Sequence, residues 1–163
     1  MLSGIVELIR RSAAGCRRPP ADAMSAAPCV SQTPPGGGPG VHDNRGIVGE
    51  FARIFYDERD VRRAFERYVA ADYIQHNPNI ADGREAAIEA LTPLFTTPDF
   101  HVEIRHVIVD GNMAVLHLFA RRTAAVRGGA VADIYRLQDG KIVEHWDVLQ
   151  EIPERSANPH PMF

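Results

Sequence analysis

Cysteine, lysine and long apolar runs are scarce in this sequence of 163 residues. Two cysteines, Cys16 and Cys29, support neither a disulfide framework nor a cysteine-based zinc site. No apolar run approaches the roughly 20 residues that cross a bilayer. A formal net charge of -3 leaves no basic excess to attract nucleic acid or an anionic membrane. We therefore expect neither as a partner, and we expect a reducing, cytoplasmic location.

The apolar fraction of 45% is sufficient for the core of one domain of ordinary size. Residues 17–40 contribute little to that core, because they are rich in Pro, Gly, Ala and Ser. This composition is typical of a disordered segment. We predict a disordered tail over residues 1–43 and a folded domain over residues 44–163. An organelle targeting segment, or a true start at Met24, remains an alternative for the tail.

Apolar residues at helical spacing predict three helices in the first half of the domain. The first helix can be capped by Asp43 or Asn44, and the second by Asp60. The third is predicted to open on a capping box formed by Asp82 and Glu85. The helical half of the domain is therefore expected to end shortly before residue 100.

Beyond residue 100 the apolar period changes from helical spacing to alternation. Four such segments are separated by the turn-forming stretches "DGN", "AAVRGG" and "DG". This pattern predicts a four-stranded antiparallel meander. Helices followed by a curved sheet indicate an α+β fold in which the helices cover one face of the sheet.

An acidic residue, Asp133, interrupts the apolar alternation of the third of these strands. The "DG" turn pairs Gln138 with Lys141, and a regular count from there places Asp133 opposite Trp146. Tyr135 shares this face, and both aromatic residues are expected to contact a ligand. Burial under the helices would disfavour the charged carboxylate and suit it to proton transfer. The alternative is a structural role, in which Asp133 pairs with an arginine or caps backbone groups.

The same count places a mixed set of side chains on the outer face of the sheet. It includes His145 and Asp147, interleaved with Val143 and Leu149. Such a surface favours a homodimer interface, and a solvated sheet face is the alternative.

His117 lies on the preceding strand, roughly opposite Asp133 or one residue out of register. If both side chains point inward, they can share a proton and perform general acid/base chemistry. A structural histidine is the alternative. The remaining histidines lack ligand-like spacing, so no metal is predicted.

The segment "YIQHNP" places polar tips where the helices give way to a loop. Tyr73, Gln75, His76 and Asn77 are therefore candidates for the rim of a pocket. Plain turn chemistry around Asn77 and the following proline is the alternative.

The motifs "YIQHNP", "ADGREA", "HVIVDGNMAVLH", "DIYRLQDGKIVEHWDVLQ" and "PERSANPHPMF" together carry a resemblance. Over residues 44–163 the sequence resembles the SnoaL-like polyketide cyclases, in the predicted aldol-condensation branch of the nuclear transport factor 2-like superfamily. The resemblance implies a cone-shaped, partly open α+β barrel that encloses a pocket, usually in a homodimer. It also implies acid/base chemistry by an Asp and a His without cofactor or metal.

These positions correspond here to Asp133 and His117. In the implied reaction Asp133 removes a proton α to a carbonyl of a small compound, and His117 relays or returns a proton. His76 or Tyr73 would stabilise the enolate oxygen. Two alternatives stay open: a binding domain with the same pocket and no chemistry, or a hydrolase or dehydratase that uses an Asp-held water.

Overall fold

The computed structural model describes residues 43–163, so nearly all of the predicted tail and both cysteines lie outside the described residues. The helices are α1 (Asn44–Ala52), a π-helical turn that continues it (Arg53–Asp57), α2 (Val61–Tyr68) and α3 (Arg84–Phe95). The strands are β1 (Val69–Gln75), β2 (His101–Asp110), β3 (Met113–Arg121), β4 (Gly129–Gln138) and β5 (Lys141–Glu151). In this part of the chain no helix combines the length and apolarity that a membrane span requires.

The predicted caps of the first two helices are confirmed. The Asp43 carboxylate accepts a hydrogen bond from the Gly46 backbone N–H at 3.0 Å. The Asp60 carboxylate accepts one from the Arg63 backbone N–H at 3.1 Å. Each bond satisfies a backbone donor that has no partner inside the helix.

The predicted capping box of the third helix is wrong. Gly83, at φ 95°, is the N-cap of α3, and no side chain bonds the free N–H groups there. The Asp82 carboxylate instead accepts a hydrogen bond at 2.8 Å from the backbone N–H of Gln75. Asp82 therefore anchors the end of β1, where the predicted rim residues Gln75, His76 and Asn77 lie.

The sheet is five-stranded, with the order β1-β5-β4-β3-β2. Strands β2 to β5 form the predicted antiparallel meander. Strand β1 pairs in parallel with β5, which makes the sheet mixed. Strand β1 was not predicted, because its residues continue the apolar spacing of the second helix and then enter a stretch rich in turn formers. The predicted α+β fold, with helices over one face of a curved and unclosed sheet, is confirmed.

Aromatic side chains join the helices to the sheet. Phe55 in the π-helical turn stacks on Phe95 of α3, with ring centroids 4.3 Å apart. It also meets the Phe65 ring edge-on at 5.3 Å. Phe51 in turn contacts Tyr135 of β4 edge-on at 5.5 Å. These buried rings provide much of the apolar surface that holds the helices over the sheet.

The β4–β5 hairpin begins in the predicted register and then changes it. Leu137 pairs with Ile142, but the next residue on β4, Arg136, pairs with Glu144. Val143 is therefore an extra residue without a partner, which defines a β-bulge. Because side chains alternate along a strand, one extra residue moves each later side chain of β5 to the face of the sheet opposite to the one predicted.

The predicted register beyond the bulge is consequently wrong. Asp133 lies opposite Asp147, and Trp146 pairs with Ile134 on the outer face. His145 and Asp147 were predicted on the outer face, but they point toward the helices and line the cavity. The homodimer stays a prediction, on an outer face with a different composition.

The C-terminal segment docks on its own domain. The Phe163 ring stacks on Phe119 with centroids 4.8 Å apart, and the Arg105 guanidinium lies 5.2 Å from the Phe163 centroid. Phe119 alternates along β3 with inward-facing neighbours, so this contact covers part of the outer face of the sheet.

Candidate active site

A cavity of about 300 Å³ lies between the helices and the inner face of the sheet. Most of its lining is apolar or aromatic. The polar lining residues include Tyr56, Tyr73, Gln75, Asn77, Asp133, Tyr135, His145 and Asp147. Side-chain hydrogen bonds connect six of them, and the backbone N–H of Asn77 joins the Asn77–Asp147 pair to the same cluster. Among the described residues that line the cavity there is no arginine or lysine.

Asp133 is the centre of the cluster. One carboxylate oxygen, Oδ2, accepts a hydrogen bond from the Tyr56 hydroxyl at 2.5 Å. The other, Oδ1, lies 3.2 Å from Nε2 of His145. Only 13% of the Asp133 side chain and 10% of the His145 side chain are exposed. A carboxylate and an imidazole at this distance can hold one proton between them.

Two buried tyrosines hold the far side of this carboxylate. The hydroxyl oxygens of Tyr56 and Tyr135 lie 2.7 Å apart. Burial, followed by the charge of Asp133, raises the pKa of both phenols well above the ordinary value of 10.0. Both therefore stay protonated, and because Tyr56 donates to Asp133, Tyr135 donates to Tyr56.

Tyr56 reaches the site from the π-helical turn. In this turn three consecutive residues, Ile54, Phe55 and Tyr56, are all buried. Such local widening of a helix is common at functional sites, because it redirects side chains that a regular helix would spread around its axis. Apolar spacing carries no signal for the widening, so Tyr56 was not predicted as a site residue.

His145 stacks on two aromatic rings. Its imidazole lies 4.9 Å from the Tyr135 ring at an interplanar angle of 29° and 6.4 Å from the Tyr73 ring at 22°, measured between centroids. Its second nitrogen, Nδ1, lies 2.9 Å from Oε1 of Gln75. The ring is thus fixed in both position and rotation, and only the bulge at Val143 turns it inward.

Three of the six predicted site residues line the cavity: Asp133, Tyr73 and Tyr135. His117 does not meet Asp133, because Leu116 is the residue opposite Asp133. His117 instead lies on the outer face, with its Nδ1 atom 3.3 Å from Nδ1 of His106. His117 is therefore one residue out of register with Asp133, the second of the two predicted placements, so the proposed catalytic pair does not form and His145 occupies the place expected for His117.

His76 and Trp146 form a pair outside the cavity. Their rings stack with centroids 4.7 Å apart and an interplanar angle of 9°. His76 also contacts Glu144 through Nε2 and Oε1 at 2.8 Å, and 42% of its side chain is exposed. Trp146 is outside because of the bulge, and His76 is outside because it follows the inward-facing Gln75. Neither side chain is among the described residues that line the cavity.

Asp147 is a second carboxylate in the cavity, directly opposite Asp133. Its Oδ2 atom accepts a hydrogen bond from the Asn77 side-chain amide at 2.6 Å. Burial, with a smaller contribution from the charge of Asp133, raises its pKa above the ordinary value of 3.8. Within residues 43–163, no group of three or more potential ligands is placed to hold a metal ion.

The raised pKa of Asp147 predicts how its removal changes stability with pH. The folded state keeps this proton to a higher pH than the unfolded state, so stability falls as pH rises through the folded pKa. In Asp147→Asn the new amide oxygen can still accept the bond from Asn77. We expect the variant to melt at a higher temperature than the parent at pH 7, with the difference vanishing near about pH 3, below the unfolded pKa. Scanning calorimetry across this range measures it, and a difference independent of pH would contradict the assignment.

Comparison with known proteins identifies the family. The SnoaL-like domain matches residues 48–145, which is more than half of the chain and includes Asp133 and His145. The chain therefore belongs to the SnoaL-like domain family. No curated protein matches the sequence significantly.

Solved structures show the same architecture. TsrD from Streptomyces laurentii is 22% identical, with a TM-score of 0.53 over 64% of this chain and 89% of that one. An NTF2-like protein of unknown function from Mesorhizobium loti is 20% identical, with a TM-score of 0.57 over 68% and 96%. A Jannaschia protein provisionally named a SnoaL-like polyketide cyclase is 20% identical, with a TM-score of 0.50 over 64% and 85%. At these identities the similarity shows the nuclear transport factor 2-like fold alone.

Proposed function

We propose that this protein is a cofactor-independent acid/base enzyme acting on a small carbonyl compound, by aldol-condensation or isomerase chemistry. The observation that carries the proposal is the Asp133–His145 pair, whose facing atoms lie 3.2 Å apart in the wall of an apolar cavity. Paired groups that exchange a proton next to a ligand site are what general acid/base catalysis requires. The provisional name of the Jannaschia neighbour is consistent with it.

The lining of the cavity indicates a neutral, largely apolar substrate. Apolar and aromatic side chains supply most of the wall, and the polar groups are confined to one hydrogen-bonded cluster. The described lining holds two carboxylates and no arginine or lysine, so an anionic substrate would meet repulsion without compensation. A volume of about 300 Å³ lies at the lower limit of drug-sized sites.

The reaction can be assigned to specific atoms. Asp133 removes the proton α to the substrate carbonyl, and the electron pair of that C–H bond forms the enolate. Tyr73 donates its hydroxyl hydrogen to the enolate oxygen. Burial, followed by the charges of Asp133 and Asp147, raises the pKa of Tyr73 far above its ordinary value and keeps this donor protonated. His145 takes the relay role expected for His117, through Nε2.

Proton exchange at the α carbon tests the proposal without knowledge of the final product. Neutral ketones of about 10 to 15 non-hydrogen atoms suit a cavity of this size. Each would be incubated with the protein in D₂O beside a matched analogue that carries a terminal carboxylate. We expect saturable deuterium incorporation into neutral ketones and little into the carboxylates.

The same experiment separates the proposal from its alternatives. Thermal shifts identify the ketones that bind, because a ligand that binds only the folded state raises the melting temperature. If every ketone that raises the melting temperature remains free of deuterium, the proposed α-proton chemistry is contradicted, and the binding domain or the hydrolase or dehydratase replaces it.

A further inference from the structure

The side chain of Gln75 connects the Asp133–His145 pair to the backbone of the following loop. We propose that Gln75 is a positioning residue, which fixes His145 in the tautomer that carries hydrogen on Nδ1 and leaves Nε2 to exchange a proton with Asp133. The consequence for catalysis rests on the function proposed above, whereas the tautomer itself follows from the hydrogen bonds alone.

The orientation of the Gln75 amide is fixed by a group that can only donate. The backbone N–H of Asn77 lies 2.9 Å from the side-chain atom Oε1 of Gln75. An N–H cannot accept a hydrogen bond, so the atom facing it is the amide oxygen. The backbone of Gln75 is itself held by the carboxylate of Asp82, at 2.8 Å from its N–H. The amide therefore has one satisfactory orientation.

This orientation determines the protonation of His145. Nδ1 of His145 lies 2.9 Å from the same Oε1 atom, which has no hydrogen to donate. A hydrogen bond between them exists only when Nδ1 carries the hydrogen. Nε2, 3.2 Å from Oδ1 of Asp133, is then the atom whose protonation changes. Proton transfer moves one hydrogen between Nε2 and Oδ1 and alters no other bond.

The nitrogen of the same Gln75 amide orients the hydroxyl group of Tyr73. Nε2 of Gln75 donates to the Tyr73 hydroxyl oxygen at 3.2 Å. The hydroxyl accepts this bond, which leaves its own hydrogen available for a ligand oxygen in the cavity. One amide thus sets both the proton-exchanging atom of His145 and the donor direction of Tyr73.

Nitrogen-15 NMR of the full chain tests the tautomer directly. The chain has seven histidines, and the spectrum of His145→Phe assigns the signals of His145 by their loss. For neutral His145 we expect the shift pattern of a ring protonated at Nδ1. If the neutral His145 ring of the parent protein carries its hydrogen on Nε2 instead, the proposal is overturned without any further variant.

Two substitutions separate a positioning role from a merely structural one. Gln75→Leu removes the acceptor, and we expect the Nδ1 tautomer to lose its dominance. Gln75→Glu keeps an acceptor oxygen and is expected to retain the tautomer. Gln150→Leu, on the exposed end of β5, is the matched control and should leave the spectrum unchanged. An unaltered tautomer in Gln75→Leu would overturn the proposal.

Activity supplies a second and separable readout. In Gln75→Leu we expect kcat for α-proton exchange to fall tenfold or more, with KM changing less, and Gln75→Glu to restore part of it. For scale, loss of the correct tautomer in a serine-protease triad costs about 10⁴-fold. If His145 is protonated at Nδ1 but no ketone exchanges its α hydrogen, the proposed enzyme activity is contradicted and the proposed tautomer is supported. If ketones exchange but neutral His145 is protonated at Nε2, the role of Gln75 is contradicted and the enzyme activity is supported.

Discussion

Replacing Asp133 by Asn is expected to abolish most of the α-proton exchange and to leave the fold intact. The new amide can reproduce the hydrogen bonds of the carboxylate, because its oxygen can accept from Tyr56 and its N–H₂ group can donate to Nε2 of His145. What it cannot do is take a proton. General acid/base assistance is worth about a hundred- to ten-thousand-fold, and we expect a loss in that range.

The comparison needs an exposed aspartate as its control. Asp110, at the end of β2, is exposed, and Asp110→Asn should exchange ketones at the parent rate. Rates are measured by NMR in D₂O, with melting temperatures and ketone affinity recorded for each variant. Parent-level exchange in Asp133→Asn, with the fold preserved, would show that Asp133 is not the base.

Replacing Phe55 by Ala is expected to be the most destabilising single truncation in the helical layer. Phe55 is buried and contacts rings from three helical segments, among them Phe51, Phe65 and Phe95. Removing such a side chain loses its transfer free energy and leaves a cavity, which together cost about 3–5 kcal/mol. The free energy of unfolding, measured by urea titration, should fall by this amount.

Phe163→Ala provides a matched control for that loss. The Phe163 ring is only partly buried at the C-terminus, with contacts to Phe119 and Arg105. An aromatic pair of this kind contributes about 0.5–1.5 kcal/mol. A cost for Phe55→Ala no larger than that for Phe163→Ala would mean that the aromatic cluster does not hold the helices to the sheet.

Local patterns in the sequence predicted much of the fold. Apolar alternation and the "DG" turn gave the four-stranded meander, and Asp43 and Asp60 gave two helix starts, because each of these signals lies within a few residues of its effect. Strand β1 escaped prediction because it pairs with β5, more than 60 residues away, in parallel. No local signal specifies such a pairing.

The site was predicted only in part, for a related reason. Asp133, Tyr73 and Tyr135 were recognised because a polar tip on an otherwise apolar segment is visible in the sequence. His145 was assigned to the wrong face, because a single unpaired residue, Val143, reverses the alternation along β5. The bulge has no glycine to mark it. One signal could have revealed the bulge. Asp133 is a polar residue on an apolar face, and only the bulged register places two further polar residues, His145 and Asp147, on that same face.

The most direct test is the structure of the protein with the neutral ketone that raises its melting temperature most. We expect the carbonyl oxygen within hydrogen-bond distance of the Tyr73 hydroxyl, at about 2.6–3.2 Å, and the α carbon beside the Asp133 carboxylate. A ketone bound in the cavity with its carbonyl directed away from Tyr73, Asp133 and His145 would contradict an acid/base site.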